Sequence, residues 1–388
     1  MKKIIAILMA LTMVLGLVAC TASPAANTPA TTNETKTEAT NNQPAATETK
    51  AEGGMNIALV TDVGNIDDQS FNQGTWEGVV AYAETKGIKQ GEGYNYYRPS
   101  EDSTEARVET IKTAIANGAN VIVCPGYLFE EALFAVQDDY PEVQFMLIDG
   151  EPHDADYNYK TASNVHCILY KEEQAGYLAG YAAVKDGYKK LGFLGGMAVP
   201  AVIRYGYGFV QGANDAAVEL GIADQVSINY WYCGGFSPND DIKTKMAGWY
   251  TDGVEVVFSC GGGIYLSAVA AAEAANGKTI GVDTDQYYVS ETIITSAMKG
   301  LGNSVKLALE SLEANNGKWN DEYAGKTANL GAAEGCVGLP TADTSWRLKT
   351  FTVDEYNALF EKVKNGEVAI SNATDVEPTV AISVDYNA

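Results

Sequence analysis

The amino-acid sequence predicts an α/β protein whose folded part consists of two doubly wound lobes with parallel sheets, joined by a hinge. Three observations support this fold class. Short runs of branched aliphatic residues alternate with longer segments that have a helical period. The apolar runs are continuous, as in parallel strands that helices cover on both faces. The folded part, residues 55–388 of the 388-residue chain, is long enough to suit two such lobes better than one large sheet.

Seven apolar runs are predicted to form the buried strands of these sheets. Each run is rich in branched aliphatic or aromatic residues and is bounded by polar or glycine-containing segments. The runs are residues 56–61, 120–124, 143–148, 191–195, 226–231, 254–259 and 279–282.

The segments between these strands carry the end signals of helices. Two of them stop at Gly87 and Gly118, where glycine permits the left-handed conformation that closes a helix. Near the end of the chain, Thr352 and Glu355 form a capping-box pattern, which predicts a helix that runs to about Asn365. Repeated strand and helix units of this kind predict doubly wound lobes.

The start of the chain carries targeting signals. A basic beginning followed by an apolar run predicts a secretory signal peptide over residues 1–19. The sequence LVAC resembles a bacterial lipobox, so we expect a lipid anchor on Cys20; plain cleavage after Ala19 is the alternative. Residues 20–54 contain no aromatic or branched aliphatic residue and should form a disordered tether after the lipidated cysteine. We therefore expect the protein at the extracytoplasmic face of the cell membrane.

Charge and cysteine content exclude several functional classes. The formal net charge of −24 repels nucleic acid, so we expect no nucleic-acid partner. The cysteines after Cys20 are odd in number and widely spaced, without a CxxC motif or a Cys/His cluster. We therefore expect neither a bound metal nor another cofactor.

Polar residues and glycines follow several of the predicted strands. In open parallel sheets, ligands bind beyond the carboxyl ends of the strands, where loops and helix N-termini converge. The clusters lie at residues 61–72, 125–127, 195–197, 260–263 and 283–285. Two lobes that present these edges to each other would form a ligand-binding cleft.

Several of these segments together resemble the basic membrane protein (BMP) family. The resemblance rests on residues 58–78, 164–183, 192–209 and 280–286 and on the segment around Lys299. Family members are substrate-binding lipoproteins of ABC transporters, and they include purine nucleoside receptors. The resemblance implies a type I periplasmic-binding fold and a nucleoside ligand, with a purine favoured. It also implies an ABC permease and ATPase as partners of a monomeric receptor.

The resemblance implies how the base would be held. Phe71 would stack on the base, with Asp62 and Asn72 beside it, and Tyr205 would provide a second ring. An aromatic ring stacked on a base contributes about 0.5–1.5 kcal/mol beyond the area that is buried. Asp62 could instead cap the following helix, for which Asp67 or Asp68 is a better candidate.

The ribose would be held by Asp283 and Lys299. A carboxylate accepts hydrogen bonds from both ribose hydroxyls, and each charge-assisted bond contributes roughly 1.5–3 kcal/mol. The other residues implied by the resemblance are Gly126, Glu131, Gly261, Gly262 and Gly263. Glu131 stands where the family has aspartate, and Tyr205 where it usually has phenylalanine, which leaves the base preference open.

We predict that the chain is not an enzyme. Nucleophilic and metal chemistry usually uses histidine, and the sequence contains only two, His153 and His166. His153 lies in a polar loop, where a solvated surface residue is expected. His166 and Cys167 are neighbours in an apparent strand and therefore point to opposite faces. The alternatives are a sugar or other small-molecule binding protein or sensor of the same fold, and a nucleoside hydrolase.

The lobes are expected to exchange chain segments. Lobe 1 would contain residues 55–166 and about 288–336, and lobe 2 would contain residues 167–287 and about 337–388. The hinge crossings would lie near residues 166–170, 284–290 and 335–345. A ligand would favour the closed form, because only that form presents both lobes to it.

Overall fold

The computed structural model of the chain describes residues 54–388. These residues form an α/β fold with two separate, mainly parallel sheets. The signal peptide, Cys20 and nearly all of the tether lie outside the described residues. Within the described part, no helix combines the length and the apolar character needed to cross a bilayer.

The strands of the described residues are numbered in chain order. They are β1 (Ile57–Val60), β2 (Tyr94–Tyr97), β3 (Val121–Pro125), β4 (Gln144–Ile148), β5 (Val165–Tyr170), β6 (Lys190–Gly195), β7 (Ser227–Tyr232), β8 (Val256–Cys260), β9 (Lys278–Asp283), β10 (Ile293–Lys299), β11 (Lys326–Leu330), β12 (Val337–Gly338) and β13 (Ser383–Asp385).

The α-helices of the same residues are numbered in the same way. They are α1 (Phe71–Thr85), α2 (Thr104–Ala116), α3 (Glu130–Val136), α4 (Glu172–Lys185), α5 (Pro200–Glu219), α6 (Asp240–Thr251), α7 (Tyr265–Ala275), α8 (Leu301–Ala314) and α9 (Val353–Lys364). Short 3-10 helices cover Tyr127–Phe129, Ala223–Gln225 and Gly262–Ile264.

Each lobe is built on one sheet. The first sheet has the strand order β11-β5-β4-β3-β1-β2, and all its strand pairs are parallel. The second sheet has the order β12-β10-β9-β8-β6-β7-β13, and only the β10 and β12 pair is antiparallel. The strand order reverses direction within both sheets, as it does in doubly wound folds.

The predicted elements are present. The seven predicted strands correspond to β1, β3, β4, β6, β7, β8 and β9, and most of their residues are buried. Thr352 and Glu355 form the predicted capping box at the start of α9. Gly87 and Gly118 have positive φ angles of 66° and 91°, as the predicted helix ends require. The five cysteines of the described residues are free thiols.

The sheets divide the chain at other points than the boundaries expected from the sequence. Strand β5 continues the first sheet to Tyr170, beyond the expected boundary at residue 166. Strand β10, expected in the first lobe, pairs with β9 because its apolar residues continue the second sheet. Helix α8 then returns to the first lobe, where Ser304 shares a buried hydrogen bond of 2.5 Å with Tyr170. The chain therefore changes lobes at the end of β10, at Lys299.

Helices α4 and α5 of the second lobe lie in close contact. A Cβ atom on Gly176 would lie 2.0 Å from the backbone oxygen of Tyr205, and one on Gly208 would lie 2.2 Å from that of Glu173. A larger side chain at either position would push the two helices apart. The contact fixes the start of α5, including Arg204, against the first turn of α4.

Candidate functional site

The carboxyl ends of strands from both sheets meet at one place in the molecule. Asp62 follows β1 and Asp149 follows β4 in the first sheet. Asp283 and Lys299 end β9 and β10 of the second sheet. These are the positions at which open parallel sheets bind ligands.

Hydrogen bonds join the two edges directly. The hydroxyl of Ser70 donates to Oδ2 of Asp283 over 2.7 Å. The backbone oxygen of Gln69 accepts from Oγ1 of Thr284 at 3.0 Å and from Nε2 of Gln286 at 2.8 Å. The loop that precedes α1 is therefore bonded to the second lobe, and any opening of the lobes must break these bonds.

The side chain of Lys299 lies at the centre of this meeting point. Its ammonium lies 5.0 Å from the ring centroid of Phe71, 5.4 Å from that of Tyr170 and 5.3 Å from that of Tyr205. Each distance is within the range of a cation–π interaction. The side chain is 2% exposed, so the charge is almost completely removed from water.

Two carboxylates neutralise this buried ammonium. Lys299 forms an ion pair with Asp149, and Oε1 of Glu172 lies 3.2 Å from the same nitrogen. Burial alone lowers the pKa of Lys299, but the neighbouring carboxylates, first of all Asp149, raise it above its ordinary value. Burial raises the pKa of Asp149 to about 7, although Lys299 opposes the shift. The ion pair therefore replaces part of the hydration that both groups lose.

Three non-glycine residues of the site have left-handed backbone conformations. The φ angles are 56° for Gln69, 60° for Asp149 and 65° for Asp283. Residues with a Cβ atom seldom adopt this region, and strained backbone tends to gather at functional sites. The strain lies at the places where the two lobes contact each other, which favours a ligand-binding role for this edge.

Asp283 is buried, and one oxygen of its carboxylate accepts a hydrogen bond. Burial raises the pKa of its carboxyl, while Lys299 and the hydrogen bond from Ser70 counteract the shift. The bond from Ser70 reaches Oδ2. The side chain also borders a cavity of about 440 Å³ that extends towards Tyr356 and Phe360 of α9.

Asp62 lies beside Phe71 on the first lobe. Its Oδ1 accepts hydrogen bonds from the backbone N–H of Gly64 at 2.7 Å and from the amide of Asn72 at 2.8 Å. Its Oδ2 lies on the side of Gly126, where an added Cβ would be 3.6 Å from this oxygen and 3.6 Å from the Phe71 ring. Burial raises the pKa of the Asp62 carboxyl, and its hydrogen bonds oppose the shift. Asp62, Phe71, Asn72 and Gly126 thus form one group.

The start of α1 is capped by Asp68. Its carboxylate accepts from the backbone N–H groups of Ser70, Asn72 and Gln73 at 2.9, 3.1 and 3.0 Å. These are the donors that a helix N-terminus leaves without partners. Capping therefore does not account for Asp62, whose carboxylate is directed towards Asn72 and Gly126.

A cavity lies between loops of the two lobes next to Asp62. It has a volume of about 660 Å³ and is bordered by Asp62, residues 98–102, Met197 and residues 233–237. This volume is typical of small-molecule sites in proteins. The geometry therefore supports a small ligand that contacts both lobes.

Residues 55–374 match the model of the Bmp family, described as "ABC transporter substrate-binding protein PnrA-like". The chain belongs to this family. The resemblance found in the sequence is therefore confirmed. The family consists of extracytoplasmic, non-enzymatic solute-binding proteins, so the prediction that the chain is not an enzyme is supported as well.

Individual relatives agree with this family. The ABC transporter nucleoside-binding protein BmpA of Lactococcus lactis subsp. cremoris is 28% identical over 276 residues, which cover 66% of this chain and 74% of that protein. Basic membrane protein A of Borreliella afzelii is 30% identical over 319 residues, covering 81% of this chain and 90% of that protein. A solved ABC transporter solute-binding protein from Aeropyrum pernix K1 has a TM-score of 0.67 at 23% identity, and the match covers 83% of this chain and 94% of that one. The predicted type I fold is thus confirmed.

Four further residues expected at the site of this BMP-family protein are Tyr205 and the three glycines after β8, Gly261, Gly262 and Gly263. Tyr205 is 1% exposed, and its hydroxyl donates to the backbone oxygen of Ala297 at 3.2 Å. Added Cβ atoms on Gly261 and Gly262 would lie 3.0 Å from atoms of Phe236. Gly263 lies beside Pro238 in the same way, at 3.2 Å. The glycine loop therefore packs under the loop that borders the cavity.

The structure does not bring Glu131 to the site. Glu131 is exposed on α3, and the one hydrogen bond of its side chain among the described residues is accepted from Thr104, at 3.5 Å. The adjacent Glu130 is buried instead. Neighbouring residues of a helix point about 100° apart, so a one-residue change in alignment exchanges the inward and outward positions. The expectation for Glu131 is corrected accordingly.

His153 also differs from its expected surface position. It is 3% exposed, and its Nε2 lies 3.1 Å from Oε2 of Glu130. The ring stacks on Tyr157 with centroids 4.7 Å apart. The polar character of this loop did not indicate the burial, because it depends on Glu130 of α3 and on how the loop places Tyr157 and Tyr159 against the ring.

Several residues of the site were not identified from the sequence. They are Ser70, Asp149, Tyr170, Glu172 and Arg204. Asp149 directly follows a predicted strand, so the rule that selected Asp62 and Asp283 could also have found it. For Glu172 and Arg204, no local signal exists, because their role depends on contacts with distant parts of the chain.

Proposed function

We propose that this BMP-family protein captures a nucleoside, with a purine base favoured, in the cleft between its lobes. The observation that carries the proposal is the meeting of Phe71, Asp283 and Lys299 where strand ends of both sheets face each other. An aromatic face beside a carboxylate and an ammonium suits a ligand with a flat base and a sugar. The nucleoside-binding name of the Lactococcus lactis relative supports the same ligand class.

In this proposal the base lies against Phe71. Stacking on one aromatic ring contributes about 0.5–1.5 kcal/mol beyond area burial. The ring of Tyr205 lies 5.3 Å from the same ammonium as Phe71, so aromatic faces from both lobes are within reach of one ligand. Asp62, held by Asn72, provides an acceptor for an N–H group of the base.

The ribose is assigned to Asp283 and Lys299. The carboxylate accepts from the sugar hydroxyls, and the ammonium donates to a hydroxyl oxygen. Each charge-assisted hydrogen bond contributes roughly 1.5–3 kcal/mol. Two such bonds and one stacked face are sufficient for micromolar binding, which needs about −8 kcal/mol.

The charges of the site favour an uncharged ligand. Lys299 and Arg204 are already paired with Asp149 and Glu172. A phosphate group would meet no free cation among these residues and would be repelled by Asp283. We therefore propose a nucleoside and not a nucleotide as the ligand.

Capture involves an open and a closed form of the two lobes. The bonds of Ser70 and Gln69 to the second lobe belong to the closed form. The chain crossings between the lobes, one of which is at Lys299, act as the hinge. Ligand shifts the population towards closure because it contacts both lobes at once. The closed complex then delivers the nucleoside to an ABC permease and its ATPase. The receptor acts as a monomer, anchored through a lipid on Cys20 at the extracytoplasmic face of the membrane.

Isothermal titration of the purified protein tests the ligand class. The protein is denatured and refolded to remove carried ligand and is then titrated with inosine, guanosine, adenosine, uridine, cytidine and ribose. The proposal expects saturable one-to-one binding of a purine nucleoside without release of free base. Binding of ribose alone would support a sugar receptor, and release of base would support a hydrolase. If none of these compounds binds, the nucleoside proposal is contradicted.

A further inference from the structure

A chain of buried charges leads away from Lys299 into the second lobe. Oε1 of Glu172 lies 3.2 Å from the Lys299 nitrogen. Oε2 of the same carboxylate accepts a hydrogen bond from Nε of Arg204 at 2.5 Å. The carboxylate of Glu172 is therefore held between two cations, with one oxygen towards each of them.

Each member of this chain is fixed by its surroundings. The side chain of Glu172 is fully buried and lies in the first turn of α4, where the helix dipole favours a negative charge. Arg204 lies near the start of α5, which packs on α4 through the glycine contact at Gly176. The arginine is 15% exposed and therefore also partly shielded from water. Neither charge is free to move far without disturbing the contact between these helices.

The ammonium of Lys299 lies between two carboxylates, those of Asp149 and Glu172. Asp149 belongs to the first lobe, and Glu172 opens the first helix after the chain has left that lobe. A lysine side chain has four rotatable bonds and an ammonium without a preferred direction, so its partners determine where the charge lies. Without the charge of Glu172, the ammonium would be attracted to Asp149 and drawn towards the first lobe.

We propose that Glu172 and Arg204 are positioning residues for the ribose: they hold the Lys299 ammonium at the place where it meets a ribose hydroxyl. This inference rests on the proposed nucleoside function. Arg204 orients the Glu172 carboxylate, and Glu172 balances the attraction of Asp149. Neither residue needs to contact the ligand. A displaced ammonium weakens recognition of the sugar and leaves base stacking on Phe71 intact. The loss of affinity should therefore be selective for ligands that carry ribose hydroxyls.

The test compares a ribonucleoside with the 2′,3′-dideoxynucleoside of the same base. Glu172→Gln keeps the shape of the side chain and removes its charge. We expect this variant to lose about tenfold in ribonucleoside affinity, the order expected when one charge-assisted hydrogen bond is lost. Its affinity for the dideoxynucleoside should stay within about twofold of the unaltered protein, because that ligand lacks the hydroxyls that Lys299 would contact.

Two further variants complete the experiment. Arg204→Met lies at a partly exposed position and should give the same selective loss, so the test stands even if Glu172→Gln does not fold. Glu131→Gln is the matched control, since it makes the same chemical change at an exposed glutamate outside the site.

The outcomes separate the inference from the proposed function. An equal loss for both ligands would indicate a structural role and overturn the inference, and so would unchanged affinity for both. Failure of the unaltered protein to bind any nucleoside would overturn the proposed function and, with it, this inference. Nucleoside binding by the unaltered protein without selective loss in either variant would overturn the inference alone.

Discussion

Two buried acid–base groups in this molecule differ in what they join. The Lys299 group connects Asp149 of the first lobe with Glu172 and Arg204, and it lies where the chain changes lobes. The pair of His153 with Glu130 connects two neighbouring segments of the first lobe. A buried ion pair that spans a chain crossing can respond to lobe closure, whereas one within a lobe affects mainly the stability of that lobe. The first group should therefore control ligand affinity, whereas the second should contribute to pH-dependent stability without affecting affinity.

The hydrogen bond between His153 and Glu130 needs a proton from one of the two side chains, whereas in the Lys299 group the ammonium donates to Asp149. Nδ1 of His153 lies 2.7 Å from the backbone oxygen of Asp154, which can only accept, so Nδ1 carries a hydrogen. Nε2 contacts Oε2 of Glu130, and a hydrogen bond there needs a second proton, on the ring or on the carboxyl. The other oxygen of Glu130 accepts from the backbone of Glu151 at 2.8 Å. Burial raises the pKa of Glu130 to about 7, although His153 and this backbone bond lower it.

The largest expected effect is the loss of binding when the carboxylate of Asp283 is replaced by an uncharged amide. Asp283→Asn should lower nucleoside affinity by about a hundredfold, because charge assistance is removed from two hydrogen bonds. Asparagine tolerates the left-handed backbone of this position, so the fold should be retained. Calorimetric titration measures the loss, and a thermal unfolding scan checks the fold. Unchanged affinity in a folded variant would place the ligand elsewhere.

A smaller effect is expected when the aromatic face is removed. Phe71→Leu keeps an apolar side chain of similar bulk but removes the ring that stacks on the base. Affinity for the nucleoside should fall by about threefold to tenfold, which corresponds to one aromatic stacking interaction. A competition assay with a fluorescent nucleoside measures this change. If the variant binds as tightly as the unaltered protein, Phe71 serves only as core packing at the start of α1.

The smallest effect on ligand affinity is expected at the intralobe pair, where the change should appear in stability instead. In the folded chain, Glu130 keeps a proton up to about pH 7 that the unfolded chain releases at the ordinary carboxyl pKa. The free energy of unfolding should therefore fall as the pH rises through about 7. Burial also raises the pKa values of Asp149 and Glu173 to about 7, so these groups contribute to the same decline. Glu130→Gln cannot titrate and should therefore show a smaller decline than the unaltered protein, with nucleoside affinity unchanged.

Urea unfolding of both proteins at about pH 6 and about pH 8, on either side of the raised pKa, measures the difference. An equal decline in the variant would mean that another group carries the proton. A loss of ligand affinity in Glu130→Gln would remove the distinction between the two buried groups.

The sequence predicted the central strands because their apolar runs are continuous, and it did not predict strand β10. That strand contains Thr295 and Ser296, which are buried polar residues. Ser296 is tolerated there because its hydroxyl accepts from the backbone of Gln286 at 3.1 Å. Polar residues whose partners come from a neighbouring loop leave no periodic signal. This omission also displaced the expected lobe boundary.

The site was predictable where it follows strand ends and unpredictable where it depends on tertiary pairing. Asp283 and Lys299 end neighbouring strands of the second sheet, and Asp62 follows β1 of the first sheet; their roles in ligand binding are proposals that rest on the family motifs. The partners of Lys299, above all Glu172 and Arg204, are brought to it by the packing of α4 on α5, which no local pattern encodes. Helix register explains the correction for Glu131, because in α3 it is Glu130 that is buried and Glu131 that is exposed.

A crystal structure of the protein with a bound purine nucleoside tests the central claim most directly. The account predicts a ligand between the lobes, with its base against Phe71 and its ribose hydroxyls within hydrogen-bond distance of Asp283 and Lys299. A nucleoside bound outside this cleft, or one whose ribose lies away from Lys299, would contradict it.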